Sequence, residues 1–491
     1  MAVSSSSSHE TPLHIVFVPM LAPGHFIPMI DLAKLIATRG VKATVFITPV
    51  ISARYGQSLR PESDSIPIRF IEIPFLSGEV GLPEGCETVD TLSFTLWSNF
   101  QSALSKWQTS VEHFIKEIEP FPTCMISDRY IPQIAVNAER LGLRRFIFDG
   151  MGCLSILIAY EIQTSKIHKT VEESEPFMLP GLPDIGLTRK QLPIHVRSNS
   201  PSMTEYREQM RAADSRACGI LINSFDELEP DYITELRKLH QNRAWCVGPM
   251  SLHNKEKSEV ARRGNKSSID ENECLKWLDN QESGSVIYSC LGSMSNIAPQ
   301  QIAELGLALE ASNRPFIWVL RKTETKADIE KWLSENKFVE RTLGRGLVIW
   351  GWAPQVLILS HKAVGAFLMH CGWNSVMEGI CSGIPMITWP NGGEQFFNEK
   401  LVSQILGIGV SVGPKSLLSV FPSEQTEVQI KSETILEAIE KVMSGDHQGL
   451  QRRKLVRELA EAAKKSSEKG GSSHRNIALF LQYIATNQNH A

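Results

Sequence analysis

An α/β fold of two facing, doubly wound Rossmann-like domains with a cleft between them is predicted by three observations. The chain has 491 residues, more than one hydrophobic core usually organises. In both halves short apolar runs alternate with stretches of helical period, the pattern of parallel sheets covered on both faces. A polar interval at 251–268, where Lys, Arg, Glu, Asn and Ser crowd out apolar residues, separates the halves and reads as a linker. The expected division is therefore 1–250 for the first domain, 269–470 for the second, and a terminal segment at 471–491.

Residues 13–20 are the first apolar run and predict a strand. A turn at Pro23-Gly24-His25 follows, then an apolar-periodic helix over about 27–38 that ends at Gly40. Further strands are expected at 41–48, 69–74 and 124–127, with helical stretches between them. The second half opens the same way, with a strand at 285–290, a turn at Leu291-Gly292-Ser293, a helix at 299–312 and a strand at 316–320. A short buried strand at 366–369 then runs into a helix beginning around 370–375. Helical patterns fill 432–443 and 451–465, and Gly470-Gly471 precedes a last apolar helix at 477–484. Ligands of doubly wound sheets sit outside the carboxyl ends of the strands, so two such domains present loops from both sides to one cleft.

The formal net charge is -4, with both signs interspersed. No basic stripe offers itself to nucleic acid or to an anionic membrane, which leaves small-molecule chemistry. Cysteines are scattered without paired spacing, and Cys124, Cys246, Cys290 and Cys371 lie in or beside apolar runs, as reduced core thiols do. The serines at 4–8 have neither a basic nor an apolar leader region around them, and no apolar run approaches membrane-spanning length. A monomeric cytoplasmic protein without integral membrane association is expected. No His, Cys or acidic cluster has metal-ligand spacing, so neither a metal nor a resident cofactor is expected.

Residues 352–395 carry the densest chemistry. Trp352 and Ala353 precede Pro354, which biases its neighbour toward extended backbone and suits an aromatic platform for a planar base. The run into His370-Cys-Gly372-Trp373-Asn374-Ser375 turns a strand into a helix, whose first N–H groups and positive dipole end bind phosphate without many cations. Gly372 permits close backbone approach. Glu378 follows Asn374 by one helical turn, on the same face, where a carboxylate could hold the two hydroxyls of a ribose. Glu394 and Gln395 could serve a hexose similarly. Taken singly, a Trp, His or Asn is more often structural than ligand-binding.

The whole stretch resembles the signature box of plant secondary-product glycosyltransferases that use UDP-sugars, in its length and at nearly every donor-binding position. The resemblance implies the two-domain fold called GT-B, with the terminal helix returning to the first domain. It implies that Trp352 stacks on uracil with Ala353 beside it, that Gln355 contacts the ribose near the uracil, and that Glu378 takes the ribose hydroxyls. His370, Asn374 and Ser375 match the diphosphate positions, and Trp373, Glu394 and Gln395 match those that face the sugar. One departure is Asn391-Gly392-Gly393, where the family usually has bulkier apolar residues; a looser seat for the sugar is expected there.

A transferase of this kind needs a base, and His25 lies beyond the first strand, where such a domain presents functional groups. A histidine capping the next helix is the other reading, but Gly24-His25 followed by Pro28 resembles the catalytic segment of the same family. Asp128 ends the run Cys124-Met-Ile-Ser127 and should emerge over the same rim, where it could hold the imidazole. It reads equally as an N-cap for the following helix, until its match to the family's Ile-Ser-Asp segment is counted. Ser293, after Gly292, could reach the terminal phosphate or the sugar; a satisfied turn serine is its rival.

These parts imply an inverting displacement by an acceptor hydroxyl on a UDP-sugar, giving a β-glycoside and UDP, with the helix start taking charge that a metal would otherwise take. Glutamine at the last position of the box accompanies glucose donors in the resembling family, so UDP-glucose is the expected co-substrate. A UDP-sugar epimerase or a silent UDP-sugar-binding protein of the same fold are the alternatives. A dehydrogenase is disfavoured, because Gly407-Ile-Gly409-Val-Ser-Val-Gly413 has the wrong final spacing. The acceptor is expected against the apolar and aromatic residues of 75–85, 146–160 and 177–193. Gly81-Leu-Pro83-Glu84-Gly85 and Leu179-Pro-Gly181-Leu-Pro183 resemble a branch of the family that acts on flavonoids, triterpenoids and other hydroxylated plant metabolites, which implies a flavonoid, triterpenoid or other phenolic or hormone.

Overall fold

Every residue of the first apolar run is buried in strand β1 (His14–Val18), as a strand covered on both faces requires. The structure, a computed structural model, describes residues 13–59, 63, 65–253, 263–292, 297–321, 325–416 and 428–487. After β1 come β2 (Lys42–Ile47), β3 (Ile68–Glu72), β4 (Cys124–Asp128) and β5 (Arg144–Asp149). A hairpin of β6 (Phe177–Leu179) and β7 (Leu182–Leu187) intervenes before β8 (Ile220–Ile222) and β9 (Ala244–Cys246). Seven of these make one parallel sheet ordered β3-β2-β1-β4-β5-β8-β9.

The second sheet is built from β10 (Val286–Cys290), β11 (Phe316–Leu320), β12 (Gly346–Trp350), β13 (Val364–Met369), β14 (Met386–Thr388) and β15 (Gly409–Ser411). Its order is β12-β11-β10-β13-β14-β15, again parallel throughout. The α/β class and the repeated doubly wound architecture are thus as the sequence predicts. Both sheets reverse their winding beside their first strand, between β1 and β4 and between β10 and β13. A ligand crevice opens at such a switch point.

One helix start differs from expectation and another falls within it. The first helix spans Pro23–Ala37 rather than beginning at about 27, because Pro23 occupies its first turn, where a fixed φ and a missing N–H are no handicap. His25 therefore belongs to the helix and not to a preceding turn. The helix after β13 spans Trp373–Cys381 with Gly372 as N-cap, so the residues 370–372 form the approach to it.

The last helix, Ser472–Thr486, lies against the first sheet. Phe480 packs edge-on against Phe146 at 5.1 Å and against Trp245 at 5.4 Å, and Ile477, Phe480 and Ile484 join the core around β1, β4 and β5. Each such side chain contributes about 1.5–3 kcal/mol on burial. The Asn476 amide donates to the Cys246 carbonyl at 2.9 Å, which ties the helix to the end of β9. Phe146 and Phe148 are fully buried. That corrects the expectation that the aromatics of 146–160 face an acceptor: those on β5 are core.

Candidate active site in the interdomain cleft

The register that pairs Val18 with Ser127 brings the helix after β1 and the end of β4 to one rim. There Nδ1 of His25 meets Oδ2 of Asp128 at 2.9 Å. The second carboxylate oxygen accepts from the Tyr130 N–H at 2.8 Å. Asp128 caps no helix, since the next one, Gln133–Arg140, has Pro132 at its N-cap. The Asp128 side chain is 2 % exposed and that of His25 29 %, so the carboxylate is shielded while the ring reaches the cleft. With Nδ1 taken, Nε2 has no partner among the described residues and is the nitrogen left for chemistry.

Burial alone would lower the His25 pKa. The charge and hydrogen bond of Asp128 outweigh it, with Glu394 and Asp149 adding, and raise the imidazole to about 9. Tyr130 meets His25 edge-on at 5.3 Å, and His195 meets Tyr130 at 6.0 Å. This aromatic row, spread over three distant segments, left no signal in the sequence.

On the facing side, the helix Trp373–Cys381 begins without a side-chain cap on its first N–H groups, which leaves them available to an anion. His370 lies beside that start, with Nδ1 buried and unpartnered among the described residues. Burial pushes its pKa down to about 4, against the pull of the Cys290 backbone, so the ring is neutral. A Cβ on Gly292 would stand 2.5 Å from the His370 ring, and one on Gly372 would also collide with it; both positions need glycine for the imidazole to fit. Between them Cys371 takes φ 63, a left-handed conformation that non-glycine residues adopt at a cost of order 1 kcal/mol and that clusters at functional turns.

The expected uridine-side residues form one connected group. Gln355 donates to Glu378 at 2.7 Å and to Ser375 at 3.1 Å, and accepts from the Tyr288 hydroxyl at 3.3 Å. Ala353 is buried beneath it, its carbonyl accepting from the Gln355 N–H at 2.8 Å. Trp352 is fixed through its backbone, donating to Ser268 Oγ at 3.0 Å and accepting from the Ser268 N–H at 2.8 Å. Ser293 lies outside the described residues.

The two sides of the cleft are bonded to each other. Asn374 donates to the Gly24 carbonyl at 2.9 Å and accepts from Asn223 at 3.3 Å. Trp373 is 3 % exposed, and its indole donates to the Asn223 carbonyl at 2.7 Å. Its ring is thus committed to the interdomain contact, which leaves its backbone, not its indole, to face a ligand. Asn223, at the end of β8, also accepts from the Met250 N–H at 3.0 Å; sequence reasoning missed it.

Glu394 accepts from Asn398 at 3.3 Å, and burial raises its carboxyl above the usual range. Gln395 Oε1 accepts from the N–H groups of Asn391 and Gly392 at 2.8 and 3.0 Å. The Asn391-Gly392-Gly393 turn is thereby fastened to the residue that follows it. Among the described residues no group of three or more His, Cys, Asp or Glu is arranged to hold a metal ion. No helix there is long and apolar enough to cross a membrane.

The chain is similar to known proteins along nearly its whole length. Residues 266–420 match the family described as UDP-glucoronosyl and UDP-glucosyl transferase. The chain is 42 % identical over 489 residues to UDP-glycosyltransferase 73C3 of Arabidopsis thaliana, covering 99 % of this chain and 98 % of the relative. It is likewise 42 % identical to UDP-glycosyltransferase 73C11 of Barbarea vulgaris, with 98 % of each covered. Among solved structures, UGT73P12 of Glycyrrhiza uralensis, complexed with glycyrrhetinic acid 3-O-monoglucuronide, superposes with a TM-score of 0.88 at 35 % identity, covering 97 % of this chain and 96 % of that one. UGT2 of Phytolacca americana, complexed with UDP-2fluoro-glucose and pterostilbene, gives 0.74 at 25 % identity, covering 96 % and 99 %.

Proposed function

The chain belongs to the plant UDP-glycosyltransferases, and we propose that within that family it is an inverting glucosyltransferase acting on a hydroxyl of a small hydrophobic metabolite. His25, oriented by Asp128, takes the acceptor proton on Nε2. The acceptor oxygen attacks the anomeric carbon of UDP-α-glucose from the side opposite the diphosphate, giving a β-glucoside and UDP. Charge developing on the diphosphate falls on the N–H groups that open the helix Trp373–Cys381 and on the neutral ring of His370. On this reading no metal or further cofactor takes part.

The observation that carries the reading is the 2.9 Å contact between His25 and Asp128, set opposite that helix start across the cleft. A silent UDP-sugar-binding protein has no use for a shielded carboxylate aimed at an imidazole. The ligands named for the two similar structures, glycyrrhetinic acid 3-O-monoglucuronide and pterostilbene, support a hydrophobic acceptor of the triterpenoid or phenolic kind. Cytoplasmic residence and a monomeric state belong to the same proposal. The test is incubation with UDP-glucose, with and without a panel of phenolic, terpenoid and hormone acceptors. Acceptor-dependent UDP and a β-linked product by NMR support the reading, whereas an α-linked product overturns inversion.

A further inference from the structure

The carboxylate of Glu378 has a second partner besides Gln355, and it comes from the linker side of the cleft. The Arg263 guanidinium donates through Nη1 to Glu378 Oε1 and through Nε to Asp31 Oδ2, the latter at 2.9 Å. Asp31 belongs to the helix Pro23–Ala37 of the first domain and Glu378 to the helix Trp373–Cys381 of the second. Arg263 and both carboxylates are 8 % exposed or less. An arginine bonded to two carboxylates and shielded from water is fixed in orientation by directional, charge-assisted hydrogen bonds, while its desolvation offsets much of the attraction.

The next residue completes the contact. Gly264 lies so close to the Trp352 indole that a Cβ there would collide with the ring, and its φ of +96° is one that side chains rarely adopt. Its carbonyl accepts from the Ser58 hydroxyl at 2.9 Å. Ser268, four residues on, holds the Trp352 backbone by two hydrogen bonds. Three independent anchors thus seat this stretch against the two side chains assigned to uridine, Trp352 for the base and Glu378 for the ribose.

We propose that Arg263 and Gly264 form a self-inhibitory plug in the uridine subsite: the guanidinium stands where the ribose hydroxyls bind and Gly264 lies against the indole that stacks the base. The inference rests on the donor-site reading given above. A UDP-sugar must displace the plug to bind, so the measured affinity is the intrinsic one reduced by the fraction of molecules whose site is open. Displacement leaves Arg263 to Asp31 on the first domain and frees Glu378 on the second. Donor binding therefore exchanges an interdomain ion pair for a nucleotide contact. Arg263 then sets donor affinity without touching the donor.

The test is calorimetry with UDP alone on the full-length wild type, Arg263→Gln and Gly264→Ala. Arg263→Gln removes the cation while keeping much of its bulk. Gly264→Ala pushes the segment off Trp352 and changes no residue assigned to the donor. Both variants are expected to bind UDP more tightly, by roughly tenfold if the site is open about a tenth of the time. Both should also gain more in melting temperature on adding UDP than the wild type does. Unchanged or weaker UDP affinity in both variants, with the wild type binding normally, overturns the plug and leaves the donor site standing. Absence of UDP binding in all three overturns the plug and the donor-site reading together.

Discussion

The side-chain amide of Asn374 donates to the carbonyl oxygen of Gly24 across 2.9 Å, so the helix assigned to the diphosphate is bonded directly to the residue before His25. In the proposed mechanism proton removal and leaving-group departure fall on opposite sides of the cleft, yet the groups assigned to them are joined by one hydrogen bond between residues far apart in sequence. Asn223 reinforces the joint from the first domain through Asn374 and the Trp373 indole. Such positioning matters because misplacement of reacting groups by about 1 Å lowers rates by about a hundredfold.

His25→Ala is expected to lower turnover by roughly 100-fold or more while UDP affinity changes little, because the imidazole lies across the cleft from the uridine-side residues. Asp128→Asn keeps the shape and removes the charge, so its loss should be smaller if orientation is its main contribution. Single-turnover rates beside UDP titrations make the separation. Near-normal turnover in His25→Ala would remove this residue from the chemistry.

The pH dependence follows from the same pair. With His25 raised to about 9, the free enzyme carries a protonated imidazole near neutrality, so kcat/KM should climb with pH along a limb lying above the ordinary histidine range. Asp128→Asn removes the largest influence raising the pKa and should move that limb down. The pair's contribution to stability has the matching sign. A pKa raised on folding gives stabilisation that is complete below about 6.5 and fades as pH passes through about 9. Melting temperatures of wild type and Asp128→Asn should therefore converge at high pH, and a gap that widens there would contradict the assignment.

Trp352→Ala should weaken UDP binding by about 1–3 kcal/mol, the scale for removing an aromatic from beneath a base. Trp352 also meets Gly264, so the same substitution loosens the plug and can return part of that loss. Trp352→Ala made in a Gly264→Ala background should then show the larger loss. Calorimetry with UDP reads both, and untouched affinity in both backgrounds would make Trp352 a packing residue.

Much of this arrangement was legible in the sequence because its strongest signals are local. The apolar runs of β1 and β13 are buried along their whole length, and their carboxyl ends mark the rims where His25 and His370 stand. The three-residue strands β6, β8, β9, β14 and β15 are too short for periodicity to declare them. The start of the first helix at Pro23 was hidden by a Pro-Gly pair that reads as a turn. What sequence could not supply is partnership across the cleft. Asn223 is an ordinary strand-end residue until Trp373 and Asn374 dock on it, and Arg263 is one more charge in a polar interval until Asp31 and Glu378 close around it. Those pairings depend on how two domains approach, and no local pattern encodes that approach.

Donor choice is assigned to Gln395, and the local structure bears on that assignment. Its Oε1 is occupied by the N–H groups of Asn391 and Gly392, which orients the amide so that Nε2 is the end left to donate toward a sugar. The glycines at 392 and 393 leave open space around the turn, but the turn is held by the residue that would read the sugar. A fixed N–H donor favours a hexose whose hydroxyl oxygen lies in its path, and the wrong epimer leaves that donor unpaired, at about 1–3 kcal/mol. Because glutamine at this position accompanies glucose donors in the family the box resembles, UDP-glucose should dominate when equimolar UDP-glucose, UDP-galactose and UDP-glucuronate compete for one acceptor. Gln395→Ala should lose both the preference and the turn's fastening, so its product mixture should broaden while UDP affinity holds. A wild-type product dominated by galactoside or glucuronide would overturn the glucose assignment and leave the His25–Asp128 proposal untouched, since that pair is assigned to the acceptor and not to the sugar.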